Sequence, residues 1–193
     1  MARMELMVPH ILKWEVGLKS GEDKLSPRDL YNAVKSRGYH CIPGDRGEHT
    51  MCGVTLATFT DWRTKQGRPK PTIADLKALQ YDEWIAILKS GFWNRCKADQ
   101  ISNQSIAEML VDWCWVNGPV AIRKAQTVLS LVADGIIGPK TLTALNASDS
   151  HSVFNRLKGA REKSYHDIVA LRPSQQIFLN GWLNRTNSIA YKN

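Results

Sequence analysis

From Ile106 to Gly118 the chain reads IAEMLVDWCWVNG, a strongly apolar helical pattern. Its large side chains, among them Met109, Leu110 and Trp113, recur at the three- and four-residue spacing that places them on one helix face. Gly118 suits the positive φ with which many helices end. The stretch therefore predicts a helix that faces the core and ends near Gly118.

Helical patterns continue towards the C-terminus. Pro119 is suited to opening the next helix, and a long helix is expected from about Ser152 until Pro173 stops it. A last helix carries Trp182. Between these helices, Gly and Pro punctuate residues 134–139 and predict a tight turn.

Helical patterns also precede the central stretch. A first helix contains Trp14 and is closed by Gly17, and the cap signal SPRD at 26–29 predicts a second helix that ends at Gly38. Residues 39–54 are polar, glycine-rich and without periodicity, which indicates a loop with room for a short hairpin. Further helices are expected from Thr55, from a capping-box signal at Thr72, and around Trp84 as far as about Trp93. No alternating run is long enough for a convincing sheet, so the predicted fold class is all-α.

Composition narrows the choice of partner. The 193 residues suit one compact domain or two small lobes that share a core, and the 43% of hydrophobic residues argue against disorder. The net charge of +8 favours a polyanionic partner such as nucleic acid, anionic lipid or cell wall. Because the positive charges are scattered and form no basic block, we predict no nucleic-acid partner.

Neither a membrane span nor a conventional secretion signal is expected. No apolar run approaches the roughly 18–20 residues that cross a bilayer, and residues 1–7 lack an apolar signal core. We therefore expect synthesis in the cytoplasm without a signal peptide, and export by another route if the target lies outside. The four cysteines form no CxxC pair, so reduced thiols are the default.

One acid is placed where a general acid would be useful. Glu15 lies in the sequence Trp-Glu-Val-Gly at the predicted end of the first helix. Trp14 shields the carboxyl from water, and the negative end of the helix dipole disfavours an anion. Both effects favour the protonated carboxyl, the state in which a glycosidase acid protonates its leaving oxygen. The pattern alone is weak, because an acid at a helix end is commonly a solvated surface residue.

The loop after the second helix concentrates other reactive side chains, namely His40, Cys41, Asp45, Glu48, His49, Thr50 and Cys52. The His and Cys residues could ligate zinc, but their spacing matches no common zinc signature. Cys41 or Cys52 could also pair with His49 as a nucleophile, as in cell-wall peptidases. The chain lacks the GxGxxG, P-loop, HExxH and GxSxG motifs, and we predict neither a metal nor a cofactor.

Several short motifs follow one another in an order that is more specific than any of them alone. In the first half they are Glu15-Val16-Gly17, Asp45–Thr50 (DRGEHT), Gly53-Val54-Thr55, Phe92-Trp93 and Asp112–Gly118 (DWCWVNG). In the second half they are Ala121-Ile122, Ala125-Gln126, Asp134–Leu142 (DGIIGPKTL), Arg161 and Gly181–Arg185 (GWLNR). Over nearly its whole length the chain resembles glycoside hydrolase family 108, the lysozyme-like muramidases often labelled secretion activators, with the predicted peptidoglycan domain that accompanies them.

This resemblance implies a lysozyme-like helical fold and a substrate. A catalytic lobe would occupy 1–95, and the predicted peptidoglycan domain would occupy 96–193 and pack on it as one compact unit. The family implies hydrolysis of the β-1,4 bond between N-acetylmuramic acid and N-acetylglucosamine in peptidoglycan glycan strands. The protein would then act on the cell wall, in the periplasm or outside the cell, and a prophage holin or secretion machinery would be its partner for export.

The resemblance also implies roles for individual residues. Glu15 aligns with the catalytic acid, and Asp45 and Thr50 fall where the similar phage-type lysozymes place a water-activating pair. Substrate contacts are expected from Glu48, Gly53, Thr55, Trp93, Asn117 and Gly118. An inverting enzyme separates its carboxyls by roughly 6.5–9.5 Å and a retaining one by roughly 5–5.5 Å, and the sequence is compatible with both.

Two departures from the family pattern matter. The family's Asp-Pro-Gly-Gly has become Asp45-Arg46-Gly47-Glu48, which makes Glu48 a rival to Asp45 as the base. The helix at 26–38 is an insertion, expected to form a flap beside the cleft. Two alternatives to a muramidase therefore stay open: a non-catalytic peptidoglycan-binding or secretion-assisting module, and a cysteine-dependent wall peptidase.

Overall fold

A computed structural model describes residues 1–41, 49–147 and 149–192. The chain divides into two compact units, one formed by Met4–Gly91 and the other by Met1–Arg3 together with Phe92–Asn193. Helices dominate both units, and one small sheet accompanies them, so the all-α prediction is confirmed. Within the described residues, no helix combines the length and the apolar character that a membrane crossing requires.

The unit Met4–Gly91 contains five α-helices and three short strands among its described residues. The helices are α1 (Val8–Val16), α2 (Pro27–Val34), α3 (Leu56–Lys65), α4 (Ile73–Lys77) and α5 (Tyr81–Leu88), with 3₁₀ turns at Met4–Met7, Glu22–Lys24 and Lys35–Arg37. The strands are β1 (Tyr39–Cys41), β2 (His49–Met51) and β3 (Val54–Thr55). They form an antiparallel sheet in the order β1-β2-β3, so the described part of the 39–54 region forms a small sheet.

The helix starts in this unit follow the predicted cap signals. The Ser26 side chain accepts a hydrogen bond from the backbone N–H of Asp29, and Thr55 caps α3 in the same way. Thr72 and Asp75 form a reciprocal capping box at α4. Each cap satisfies backbone N–H groups that have no partner inside their own helix, which is why these three starts could be predicted.

The segment 26–38, expected to be an insertion, contributes to the core of this unit. Leu30, Tyr31 and Val34 of α2 are fully buried. The Tyr31 ring lies 5.4 Å from that of Trp84, and its hydroxyl donates to the Leu79 carbonyl at 2.9 Å. The expectation of a flap was wrong, because a helix with one wholly buried face cannot swing away without exposing that face to water.

The second unit is built from the helices α6 (Gln104–Asn117), α7 (Val120–Val128), α8 (Pro139–Leu145), α9 (Ser150–Leu171) and α10 (Gln176–Asn187). A π-helical turn at Lys89–Trp93 belongs to the first unit up to Gly91 and to the second from Phe92, and 3₁₀ turns cover Ala98–Gln100 and Pro173–Gln175. The predicted apolar helix is α6, and its Trp113 is fully buried. The short α8 was not predicted.

The first residues of the chain are tied to this second unit. The backbone N–H of Ala2 donates to the Ile101 carbonyl at 2.9 Å. The Gln104 side chain accepts from the Arg3 N–H and donates to the Arg3 carbonyl. These bonds explain why Met1–Arg3 belong to the same unit as Phe92 and the residues after it.

A buried ionic cluster joins three helices of the second unit. Asp112 of α6 accepts hydrogen bonds at 2.7 Å from Arg161 of α9 and from Arg185 of α10. Asp112 and Arg161 are fully buried, and Arg185 is nearly so. The Arg161 Nε also donates to the Tyr165 hydroxyl at 3.0 Å. Arg161 and Arg185, which the motifs had singled out, therefore hold this unit together.

Candidate active site

Glu15 lies in the last turn of α1 and is partly buried. Gly17 ends the helix at φ +75, and its N–H donates to the Lys13 carbonyl at 3.0 Å. Burial raises the pKa of the Cys52 thiol to about 12, and the negative charge of Glu15 adds to that rise. Glu15 is therefore close enough to the turn that contains Cys52 to act on it electrostatically.

That turn connects β2 to β3. Met51 pairs with Val54, so Cys52 and Gly53 form a two-residue loop, and both have positive φ, at +48 and +82. This is the signature of a type I′ turn, whose twist matches that of the strands on either side. Gly53 thus supplies the positive φ that the turn needs. Cys52 also adopts a positive φ, which is uncommon for a residue with a side chain.

The strands on either side of the turn present the predicted threonines. Thr50 of β2 is partly buried and pairs with His40 on one side and Thr55 on the other. The Thr55 hydroxyl oxygen accepts from the Thr58 N–H at 3.1 Å, because it caps α3. Thr55 therefore has a structural role as a helix cap. Thr50 lies in the middle strand of the sheet, close in sequence to the Cys52-Gly53 turn.

Interactions that the sequence did not predict anchor the turn. The Cys52 N–H donates to the Gly38 carbonyl at 2.8 Å, and the Trp84 indole N–H donates to the Cys52 carbonyl at 2.9 Å. Cys52 is fully buried. A glycine at 38 is favoured because an added Cβ would lie 2.4 Å from the Cys52 sulfur, so one of the two atoms would have to move. The only sequence signal for this contact was a glycine at the end of a helix.

The Gly38→Ala variant should be less stable by roughly 1–3 kcal/mol, because overpacking forces buried atoms to move. Backbone strain is not involved, since φ at Gly38 is −85. Urea unfolding of Gly38→Ala, Cys52→Ala and the double variant measures the coupling between them. The Gly38→Ala cost should shrink when Cys52 is alanine, and an equal cost in both backgrounds would show that the contact does not matter.

A second anchor, also unpredicted, holds the chain that follows Glu15. The Arg37 guanidinium donates to the Gly17 carbonyl at 3.3 Å and forms an ion pair with Glu22. A backbone hydrogen bond from Lys19 lowers the pKa of Glu22, and the Arg37 bond lowers it further. The end of α1 is therefore fixed by a charged pair as well as by its glycine cap.

Asp45 and Glu48, the two candidates for the base, lie outside the described residues. Of the side chains predicted to take part in catalysis, the structure places Glu15 and Thr50 in the same compact unit.

The remaining predicted contacts belong to the second unit. Trp93 is 1% exposed, and its indole N–H donates to Asp99 at 2.6 Å, so its observed role is packing. Gly118 ends α6 at φ +68. The Asn117 side chain is partly exposed, but its Oδ1 is buried and has no hydrogen-bond partner among the described residues. A buried acceptor without a partner costs roughly 1–3 kcal/mol. Asn117 is therefore a stronger candidate for a ligand contact than Trp93 or Gly118.

The thiols fall into two classes. Cys41 is exposed and is the cross-strand partner of His49, whose Nδ1 lies 2.8 Å from the Tyr39 hydroxyl. Cys52 is buried with a raised pKa, so it is a poor nucleophile. In the part of the chain that the structure describes, His, Cys, Asp and Glu form no cluster of three or more that could hold a metal ion.

Comparison with known proteins assigns both parts of the chain. Residues 35–118 match the family model described as glycosyl hydrolase 108, and residues 120–187 match the one described as predicted peptidoglycan domain. A solved structure titled "Structure of Brucella abortus SagA" is similar at 26% sequence identity and a TM-score of 0.72. The alignment covers 95% of this chain and 88% of that one. Comparison with curated proteins finds no match.

Fold and comparisons together define a mostly helical, lysozyme-like protein of the glycoside hydrolase class that acts on peptidoglycan. The two matching family models follow one another along the chain in the order that its motifs had indicated. Glu15 precedes the matched residues 35–118, so its assignment depends on its motif and on its place in the last turn of α1.

Proposed function

We propose that the protein hydrolyses the β-1,4 bond between N-acetylmuramic acid and N-acetylglucosamine in peptidoglycan, with Glu15 as the general acid. The observation that carries this proposal is the position of Glu15. It is partly buried at the end of α1, in the same compact unit as the sheet that contains Thr50. The glycosyl hydrolase 108 match and the net charge of +8, which suits an anionic wall, support it.

The reaction divides the work among few side chains. Glu15 protonates the glycosidic oxygen as the bond breaks, and Thr50 holds the attacking water through its hydroxyl. Asp45 is our choice for the carboxylate that activates this water, with Glu48 as the alternative. In a retaining reaction the same carboxylate would instead attack the sugar, and water would enter in a second step.

We include Asn117 and Gly118 as contacts to the glycan. Rotation of the Asn117 amide would bring its unpaired Oδ1 to the surface, where an N–H group of an N-acetyl sugar could satisfy it. Such a pairing would remove the cost of the buried acceptor when substrate binds.

The test is the chemistry of the products from purified peptidoglycan. Hydrolysis of the glycan should release reducing sugars in step with turbidity loss and should release no new amino or carboxyl groups from the stems. New stem termini without reducing sugars would contradict the proposal and indicate a peptidase.

The peptidase alternative has one specific observation in its favour, the exposed Cys41 opposite His49. In the folded protein only Cys41 should react quickly with iodoacetamide at pH 8, because Cys52, Cys96 and Cys114 are buried. Mass spectrometry counts the labelled thiols, and the Cys41→Ala variant should then show no fast label.

The same labelled protein separates the two enzymes. A muramidase should retain its activity after Cys41 is alkylated, whereas a peptidase that uses this thiol should lose it. Rapid labelling of more than one cysteine in the folded state would contradict the burial described for the other three.

A non-catalytic binding module is the other alternative, motivated by the altered DRGE sequence at 45–48. Folded protein that sediments with purified walls but releases neither sugar nor peptide would favour this module over the hydrolase.

A further inference from the structure

We propose that a groove between α7 and α9 binds the carboxylates of the peptide stems of peptidoglycan, apart from the glycan that is cleaved. The choice of ligand rests on the proposed function. The groove has a volume of about 610 Å³, and its lining residues fall between Lys124 and Asp167. It therefore lies wholly inside the segment 120–187 that matches the predicted peptidoglycan domain. Its volume suits a short peptide.

Cations line this groove from both helices. Lys124 comes from α7, and Arg156 and Lys163 come from α9. The Lys163 ammonium donates hydrogen bonds to both carboxylate oxygens of Asp167, at 2.8 and 2.9 Å, and this pairing lowers the pKa of Asp167. The positive charge of Lys124 lowers it as well, so that charge reaches across the groove. One carboxylate is thus already held among the cations, and two positive charges remain in excess for a ligand.

The position of Arg156 is fixed by the fold. Its guanidinium donates to the carbonyl of Val128, the last residue of α7. A guanidinium held at a helix C-terminus by one N–H keeps its other N–H groups available in a planar fork, which matches the geometry of a carboxylate. Arg156 therefore contributes a preorganised donor as well as a charge.

Gly159 is hard to explain by packing. It lies inside the 22-residue helix α9, where glycine is less favourable than alanine. No heavy atom lies within 4 Å of a Cβ built on it, so the fold has room for a side chain there. Gly159 and its neighbour Ala160 both line the groove. The missing side chain keeps the groove open and lets a ligand approach the helix backbone.

The lining favours a peptide over sugars. None of the described residues that line the groove is aromatic, so it offers no ring on which a sugar could stack. Small and polar side chains, including Thr127, Asn155 and Ser164, accompany the cations. Stem peptides carry carboxylates that can pair with the cations, methyl groups that can contact the small residues, and amides that can hydrogen-bond to the polar side chains.

The experiment is calorimetric titration of the full chain with the synthetic stem tripeptide L-alanyl-γ-D-glutamyl-diaminopimelate. A copy of the peptide with amidated carboxylates and inorganic phosphate serve as comparison ligands. The variants are Lys124→Gln, Gly159→Leu and Gly181→Leu. Gly181 is the matched control, because it lies inside α10, also has room for a Cβ, and does not line the groove.

We expect the native protein and Gly181→Leu to bind the acidic peptide equally, and Gly159→Leu to lose binding while its unfolding midpoint stays at or above the native value. Removing one charge-assisted bond in Lys124→Gln should weaken binding by roughly tenfold. Amidation of the peptide should abolish it. Equal binding by Gly159→Leu, or phosphate binding as tight as that of the peptide, would overturn the proposal.

Sugar release from purified walls is measured in parallel with the same samples. Native protein that cleaves walls but gives no heat with the acidic peptide would contradict peptide binding in the groove and leave the proposed hydrolase activity supported. Protein that binds the peptide but releases no sugar would contradict the proposed hydrolase activity and support peptide binding in the groove.

Discussion

Asp112→Ala is expected to lower the free energy of unfolding by roughly 3–5 kcal/mol, because it leaves the charges of Arg161 and Arg185 buried without their counter-ion. The loss should appear in urea unfolding and as a fall in the melting midpoint of about 10 °C. Asp112 joins α6 to α9 and α10. The loss of stability should therefore affect the unfolding of the whole unit and should not be confined to one helix end.

Asp167→Ala is the matched control for this variant. Asp167 also pairs with a cation of α9, but the pair is exposed, and exposed ion pairs contribute little. A change in stability for Asp112→Ala as small as that for Asp167→Ala would contradict a structural role for the buried cluster.

Glu15→Gln is expected to reduce sugar release from peptidoglycan by roughly 10²–10⁴-fold, the range over which a general acid contributes. Glutamine has the same shape as glutamic acid but cannot donate the proton that the leaving oxygen needs. Binding to walls should stay intact, so the loss should appear in the turnover rate rather than in the amount of protein that sediments.

Glu5→Gln is the control, because Glu5 belongs to the same unit and is exposed. It should release sugar at the native rate. A folded Glu15→Gln protein that retains more than a small fraction of native turnover would remove Glu15 from the acid role.

The helices could be predicted because their signals are local. Ser26, Thr55 and Thr72 each precede an apolar period and cap a helix in the structure. The period around Trp113 likewise predicted a buried helix. An apolar stripe and a capped start depend on neighbours within a few residues, which the sequence displays directly.

The small sheet and its turn could be predicted only in outline. Its strands have two or three residues each, which is too short for alternation to show, and its turn uses Cys52 rather than a second glycine or an asparagine. Cys52 tolerates its positive φ because Gly38 and Trp84 bond its backbone from other elements. Such tertiary compensation is invisible in a local pattern.

Long-range partners explain the other omissions. Asp112 sits in an apolar helix, and its partners Arg161 and Arg185 are 49 and 73 residues away. For the candidate site, the motif order singled out Glu15 and Thr50, but their supports at Gly38, Arg37 and Cys52 emerged only from the fold. The sequence therefore singled out Glu15 and Thr50, and the fold shows the contacts that hold the neighbouring backbone.

Digestion of purified peptidoglycan in H₂¹⁸O, followed by mass spectrometry of the fragments, tests the proposed reaction most directly. Hydrolysis of the muramic acid bond predicts one ¹⁸O atom at each new reducing end, on N-acetylmuramic acid, with no label in the peptide stems. Label in new stem carboxyl groups, or unlabelled anhydro sugars at the new ends, would contradict a muramidase.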